Sequence, residues 1–364
     1  MTQTRAEPVR VLIIEDSDTV RYILSHIISG DRRLQVVGAV STAEEALMVL
    51  PKLSPDVISM DVRLPGMDGI EATRRIMNEH PTPIVMIAGV GEDDAASLSM
   101  QALRAGALAL VEKPVGPGSE AFRDIAETIR TQLYIMSQVP VIRRREAYVR
   151  EVRLRRRPPV TTPVPRACLE TSGQGGPEII AIAASTGGPP AFARLFSQFP
   201  ADFPLPIVLV QHMGARFMDS FASWLDSVVP LPVRIAADGE MPESGVIHVA
   251  PGGCHLRVSL ARRLSVTEDA PYRGQRPSAN RLFQSVAETY GPTAVGVLLT
   301  GMGDDGAEGL LALRDAGAFT MAEDESSAVV YGMPQVAMRL GAVCYSGPLD
   351  AIAGKLAILG SPQK

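Results

Sequence analysis

Seven short apolar runs punctuate this chain: Val9 to Ile14, Val57 to Met60, Ile84 to Ile87, Ala107 to Val111, Ile179 to Ala184, Ile207 to Val210 and Ala294 to Leu299. They are aliphatic, largely β-branched and too short for buried helices, so they read as strands hidden on both faces. Such strands build parallel sheets covered by helices, an α/β fold. The runs fall into two blocks. Between roughly Tyr134 and Pro177 the chain is first dense in arginine (Arg143 to Arg145, Arg150, Arg153, Arg155 to Arg157) and then rich in proline, threonine and glycine, as a linker is. At 364 residues and 46% hydrophobic, the sequence is long enough for two cores, so two α/β domains in series are expected.

The rest of the composition excludes more than it suggests. A net charge of -5 with 21% charged residues favours neither DNA nor an anionic membrane. The arginine run has no interleaved aromatic besides Tyr148 and no DNA-binding motif beside it, so it reads as a solvated helix or hinge. Cys168, Cys254 and Cys344 are too few and scattered for a disulfide framework or a zinc site. Met1 to Arg10 has no apolar signal region, and no stretch reaches the ~20 apolar residues that span a bilayer. A soluble, cytoplasmic protein is expected, with no membrane insertion and a monomer as the default.

Chemistry collects at the strand ends. In the first block, Val9 to Ile14 delivers Glu15 and Asp16, and Val57 to Met60 delivers Asp61. Three carboxylates at one sheet edge repel one another, and the usual reason to tolerate that is a divalent cation. With only oxygen ligands on offer, Mg²⁺ is favoured. Lys113, after the run ending at Val111 and before Pro114, is placed to neutralise a phosphoryl group on Asp61.

In the second block, Ser185 follows a strand in Ser185-Thr186-Gly187-Gly188, before a helix expected near Pro189. Alone this is as much a tight turn or phosphate loop as a catalytic site. His212, in Gln211-His212-Met213, ends the next strand and offers a base near neutral pH. Asp305, in the glycine-rich stretch Thr300 to Gly306, offers an orienting carboxylate, or else a cap for the helix from about Ala307, which Asp304 equally fits. Nucleophile, base and carboxylate together are the kit for acyl transfer.

Glu15, Asp16, Asp61, the turn Pro65 to Gly69 and Lys113-Pro114 resemble, in order and spacing, the receiver domain of two-component response regulators. The resemblance implies a flavodoxin-like five-stranded sheet over residues 1–134. It makes Asp61 the phosphoacceptor, Glu15 and Asp16 Mg²⁺ ligands helped by the Arg63 carbonyl, Lys113 the phosphoryl contact and a histidine kinase of the CheA type the donor. Two positions depart from the pattern. Ala88 stands where receivers carry a threonine or serine, and Leu110 where they carry an aromatic, so the usual relay lacks both moving parts.

Residues 177–364, beyond a linker at 135–176, resemble the catalytic domain of the chemotaxis protein-glutamate methylesterases, the CheB family. The likeness runs through Ser220 to Leu225, Pro230 to Arg234, Ala250 to Gly253, Arg276 to Ser278, Gly296 to Gly306 and Ala328 to Pro334. It implies a Rossmann-like domain without a cofactor, Ser185 as nucleophile, His212 as base and Asp305 as orienting acid. Thr186 assists, and the Met302 N–H helps form an oxyanion hole. The implied substrates are γ-methyl glutamyl esters, and selected glutamines, on methyl-accepting chemoreceptors. Gly214 replaces the family's usual proline after His212-Met213. Two other readings compete: a non-catalytic signalling module binding a protein or nucleotide through the Ser185 loop, and a DNA-acting regulator, for which the helix-turn-helix output is missing.

Overall fold

The computed structural model describes residues 7–89, 93–114, 120–139, 141 and 176–359, and the chain divides into two compact units, Met1–Pro158 and Pro159–Lys364. The arginine run, Cys168 and nearly all of the expected linker lie outside the described residues. No helix among the described residues is long and apolar enough to cross a membrane.

The first unit alternates strand and helix: β1 (Val9–Ile14), α1 (Asp18–Ser29), β2 (Leu34–Val40), α2 (Ala43–Leu53), β3 (Val57–Asp61), α3 (Gly69–Glu79), β4 (Ile84–Ala88), α4 (Asp93–Ala105), β5 (Ala109–Glu112) and α5 (Glu120–Met136). The strands pair in parallel in the order β2-β1-β3-β4-β5. Local chemistry starts the helices where they start. Ser17, Thr42 and Asp68 each accept a backbone N–H in the first turn of α1, α2 and α3, a device worth about 1 kcal/mol apiece.

The second unit holds β6 (Ile179–Ala184), α6 (Gly188–Phe196), β7 (Ile207–Gln211), α7 (Met218–Asp226), β8 (Val233–Ile235), β9 (Ile247–Val249), β10 (His255–Val258) and β11 (Leu264–Thr267). It continues with α8 (Ala279–Tyr290), β12 (Ala294–Leu298), α9 (Ala307–Asp315), β13 (Phe319–Glu323), α10 (Met333–Arg339), β14 (Tyr345–Gly347) and α11 (Leu349–Leu359). Seven strands form a parallel sheet in the order β14-β13-β12-β6-β7-β9-β8. Strand–helix alternation breaks between Val233 and Thr267. No helix separates β8 from β9, and β10 with β11 makes a separate antiparallel ribbon. Leu256, Val258 and Leu264 of that ribbon join Leu282, Phe283 and Val286 of α8 in the core, so the ribbon buries apolar surface as a helix does elsewhere.

β6, β7 and β12 are buried at every position, which accounts for their unbroken apolar runs. Each valine, isoleucine or leucine so buried contributes about 1.5–3 kcal/mol relative to exposure. α6 is held by a chain of rings, Phe192 against Phe196 at 5.9 Å and Phe221 at 6.1 Å, with Phe196 against Phe199 at 5.5 Å. Because α6 begins three residues after Ser185, that packing fixes the turn carrying it. Strand order reverses between β6 and β12, and an open parallel sheet has its ligand crevice at the C-terminal edge of such a point.

Candidate active site and acidic cluster

Strand register brings the sites together. Ala184 is opposite Gln211, so the next residues, Ser185 and His212, leave the sheet abreast. Pairing then continues beyond the strands: His212 N–H donates to Ala184 O (3.0 Å) and Ser185 N–H to Thr300 O (3.0 Å). Gln211 adds a clamp, its buried amide Nε2 donating to the carbonyls of both Ser185 and His212 at 2.8 Å. The close approach explains Gly188, since a Cβ there would overlap Gln211 Oε1. A Cβ on Gly301 meets Ser185 Cβ at 2.8 Å, which shows how near the loop after β12 runs to the serine.

That loop delivers Asp305 to the imidazole, with His212 Nε2 2.8 Å from Asp305 Oδ2. Asp305 does not cap α9, whose N-cap is Gly306. It turns instead to the start of α8. There Ser278 Oγ (2.8 Å) and Asn280 N–H (3.1 Å) donate to Oδ1, and Ala279 N–H (2.6 Å) donates to Oδ2. The N-terminus of a helix favours an anion in this position. Burial pushes the Asp305 carboxyl up, but His212, the Ser278 hydroxyl and the Ala279 N–H hold it below the ordinary aspartate value. With Nε2 engaged, Nδ1 is the ring nitrogen left for Ser185. The Ser185 hydroxyl makes no hydrogen bond among the described residues; in free enzymes such bonds often tighten only on binding substrate.

Thr186 is buried, and its carbonyl accepts the Thr300 hydroxyl at 2.9 Å. Met302 is 43% exposed and sits just past Gly301, whose carbonyl is held by the N–H groups of Gly332 and Met333. The Met302 N–H has no acceptor among the described residues, as an oxyanion donor needs. Gln211, Ser278 and Thr300 are additions to the expected set. Gln211 stands next to His212 in the sequence, and Ser278 follows Pro277 and caps α8, but neither position names its partner.

In the first unit, the sheet edge gathers Glu15, Asp16 and Asp61, with ligand oxygens all within 4.8 Å. Glu15 and Asp61 are buried, and Asp16 is exposed. Lys113 Nζ lies 2.7 Å from Asp61 Oδ2 and 3.0 Å from Glu15 Oε1. Burial and the Asp61 charge push Glu15 up to about 7 against the pull of Lys113. Burial likewise raises Asp61, and the two carboxylates raise Lys113 despite its own burial. Three carboxylates offering hard oxygen donors at one edge, only two of them bonded to the Lys113 ammonium, fit a divalent cation. Ala88 is buried and offers only its carbonyl, to Lys113 N–H at 2.8 Å.

A raised carboxyl destabilises the fold once it ionises. Without a cation the first unit should therefore lose about 2–3 kcal/mol as pH rises from about 4.5 through 7, with Glu15 the main source. Mg²⁺ should relieve this, raising the unit's melting temperature more at pH 8 than at pH 5. Equal Mg²⁺ increments at both pH values would rule the effect out.

The family model for CheB methylesterase matches residues 180–356, and that for the response regulator receiver domain matches residues 11–121. A protein of Paramagnetospirillum magneticum named protein-glutamate methylesterase/protein-glutamine glutaminase 2 is 45% identical over 349 residues, covering 96% of each chain. One of Anaeromyxobacter dehalogenans, named as number 3 of the same kind, is 46% identical and covers 96% of this chain and 98% of its own. The crystal structure of the Thermotoga maritima CheB methylesterase catalytic domain is 34% identical. It covers 51% of this chain and 100% of that one, with a TM-score of 0.49.

Proposed function

The chain belongs to the CheB methylesterase family, and on that premise we propose that Ser185, His212 and Asp305 hydrolyse glutamate γ-methyl esters on chemoreceptors, under control of phosphorylation at Asp61. It is an enzyme of its relatives' kind, a protein-glutamate methylesterase and protein-glutamine glutaminase. The observation that carries the catalytic reading is the His212–Asp305 hydrogen bond, anchored on the first turn of α8 and abreast of Ser185.

In this reading His212 Nδ1 takes the Ser185 proton as Oγ attacks the ester carbonyl. Asp305 stabilises the imidazolium that forms, and the Met302 N–H faces the developing oxyanion. Collapse breaks the bond to the methoxy oxygen, which leaves as methanol with the proton from His212. Water, deprotonated by the same imidazole, then releases the glutamate and restores Ser185. A glutamine side chain follows the same path with ammonia leaving. Nothing deep is needed to hold a side chain displayed on a receptor's cytoplasmic helix.

In the receiver, Glu15, Asp16 and Asp61 would hold Mg²⁺, with the Arg63 carbonyl. The ion supplies charge neutralisation for phosphoryl transfer from a kinase of the CheA type to Asp61. Lys113 then pairs with the added group, whose charge of about -1.5 to -2 is enough to reorder neighbouring loops. We expect the protein to act in the cytoplasm as a monomer without nucleic acid.

The test is methanol release from membranes bearing methylated chemoreceptors, with and without Mg²⁺ and a small acyl phosphate. Wild-type protein should release methanol and be stimulated several-fold by the phosphodonor, and Asp61→Asn should keep the basal rate and lose the stimulation. Release without stimulation points to a differently gated enzyme, in keeping with Ala88 and Leu110. No release from any receptor favours the non-catalytic module.

A further inference from the structure

Glu323 is a buried acid that the mechanism above does not use. It ends β13, is 1% exposed, and reaches across to the residue that follows the end of β12 by two positions. Its Oε2 accepts the Thr300 N–H at 2.9 Å, and its Oε1 accepts the Ser327 hydroxyl at 2.9 Å. That hydroxyl in turn accepts the Leu349 N–H at 2.9 Å.

Thr300 is where these bonds meet the active site. It is fully buried, and its carbonyl accepts the Ser185 N–H. Its hydroxyl donates to Thr186 O and accepts the Val330 N–H at 2.9 Å. The next residues are Gly301 and Met302. Ladder pairing of β12 with β13 ends at Leu298 and Ala322, so the Glu323 side chain takes over as acceptor where the backbone of β13 no longer serves. Burial pushes its carboxyl above the ordinary range, with Thr300, Ser327 and the Arg194 charge opposing only in part. A carboxylate kept in so unfavourable a place needs a role that an apolar side chain cannot fill.

We propose that Glu323 is a positioning residue for the ester hydrolysis, fixing Thr300 so that the Ser185 backbone and the Met302 N–H keep their spacing. It touches no substrate and acts through Thr300. The inference rests on the catalytic reading of Ser185.

The effect belongs to kcat rather than KM, because the spacing matters to the tetrahedral state and not to docking on the cleft rim. With methylated receptor membranes, Glu323→Ala should lower kcat by about 30- to 100-fold, the order that a displacement of ~1 Å brings. KM should stay within about twofold. Glu323→Gln, which keeps an acceptor for Thr300 N–H, should restore kcat to within about fivefold of wild type. Glu323→Asp, one methylene short, should lose at least about tenfold, and it serves if the alanine variant does not fold. Wild-type kcat in both the alanine and aspartate variants, a matching rise in KM, or no rescue by glutamine overturns the proposal. Ser185→Ala run alongside separates the two failures. If it releases methanol as wild type does, the catalytic reading itself is wrong. If it is inactive while Glu323→Ala is normal, only the role of Glu323 falls.

Discussion

Ser185→Ala should abolish methanol release, with kcat falling by about 10⁴- to 10⁶-fold, the loss typical when a serine hydrolase loses its nucleophile. The fold should not notice. Every hydrogen bond recorded at this position is made by backbone: Ser185 N–H to Thr300 O, Gln211 Nε2 to Ser185 O, and Gly188 N–H to Ser185 O. Alanine keeps all three, and its methyl group occupies the place of the Cβ already packed beside Gly301. A surface-type change in stability, within about 0.5 kcal/mol, is therefore expected, and thermal melting of the variant should overlay the wild type. Phosphorylation of Asp61 should be untouched, so the variant still accepts phosphate from a small acyl phosphate. Retention of more than about one-hundredth of wild-type turnover would exclude Ser185 as the nucleophile, since an oxyanion hole and binding alone leave far less.

How far the sequence could be read depended on burial. β6, β7 and β12 are hidden on both faces, and their continuous apolar runs announced them together with the residues at their ends. β2 gave no such signal because it is an edge strand, partly exposed and interrupted by Gln35 and Gly38. The short strands between Val233 and Thr267 were equally quiet: three or four residues carry too little pattern to separate from loop. Asp305 shows a different limit. Its position before a helix made a local cap plausible, whereas its donors come from the first turn of α8, some 25 residues earlier in the chain. Only tertiary folding brings that helix end to the loop. Gln211 and Glu323 escaped for a related reason, since each acts by holding backbone of another strand end, and no spacing in sequence encodes that.

Asp305→Asn should cost about 10³- to 10⁴-fold in kcat although it is nearly isosteric. Both carboxylate oxygens face donors: Oδ1 faces the Ser278 hydroxyl and the Asn280 N–H, and Oδ2 faces the Ala279 N–H and His212 Nε2. An amide has one oxygen to offer, so its NH₂ group must confront donors whichever way it turns. If the NH₂ takes the place of Oδ2, His212 can meet it only by accepting at Nε2. The ring proton then moves to Nδ1, the nitrogen that has to receive the Ser185 proton. If the NH₂ takes the place of Oδ1, the tautomer survives but two donors at the start of α8 lose their acceptor, at about 1–3 kcal/mol. The two cases separate by measurement: the first leaves one donor, the Ala279 N–H, without its acceptor and lowers kcat most, whereas the second leaves two and lowers stability more, with a smaller loss of kcat. pH adds a further check. Because the folded protein holds Asp305 below its ordinary value, its charge stabilises the native state fully above about pH 4, and that contribution fades as pH falls through the depressed value. Any stability gap between wild type and Asp305→Asn that comes from this charge should accordingly narrow on acidification below about pH 4. A variant keeping more than about a tenth of wild-type kcat at neutral pH would mean that His212 is oriented by something other than this carboxylate.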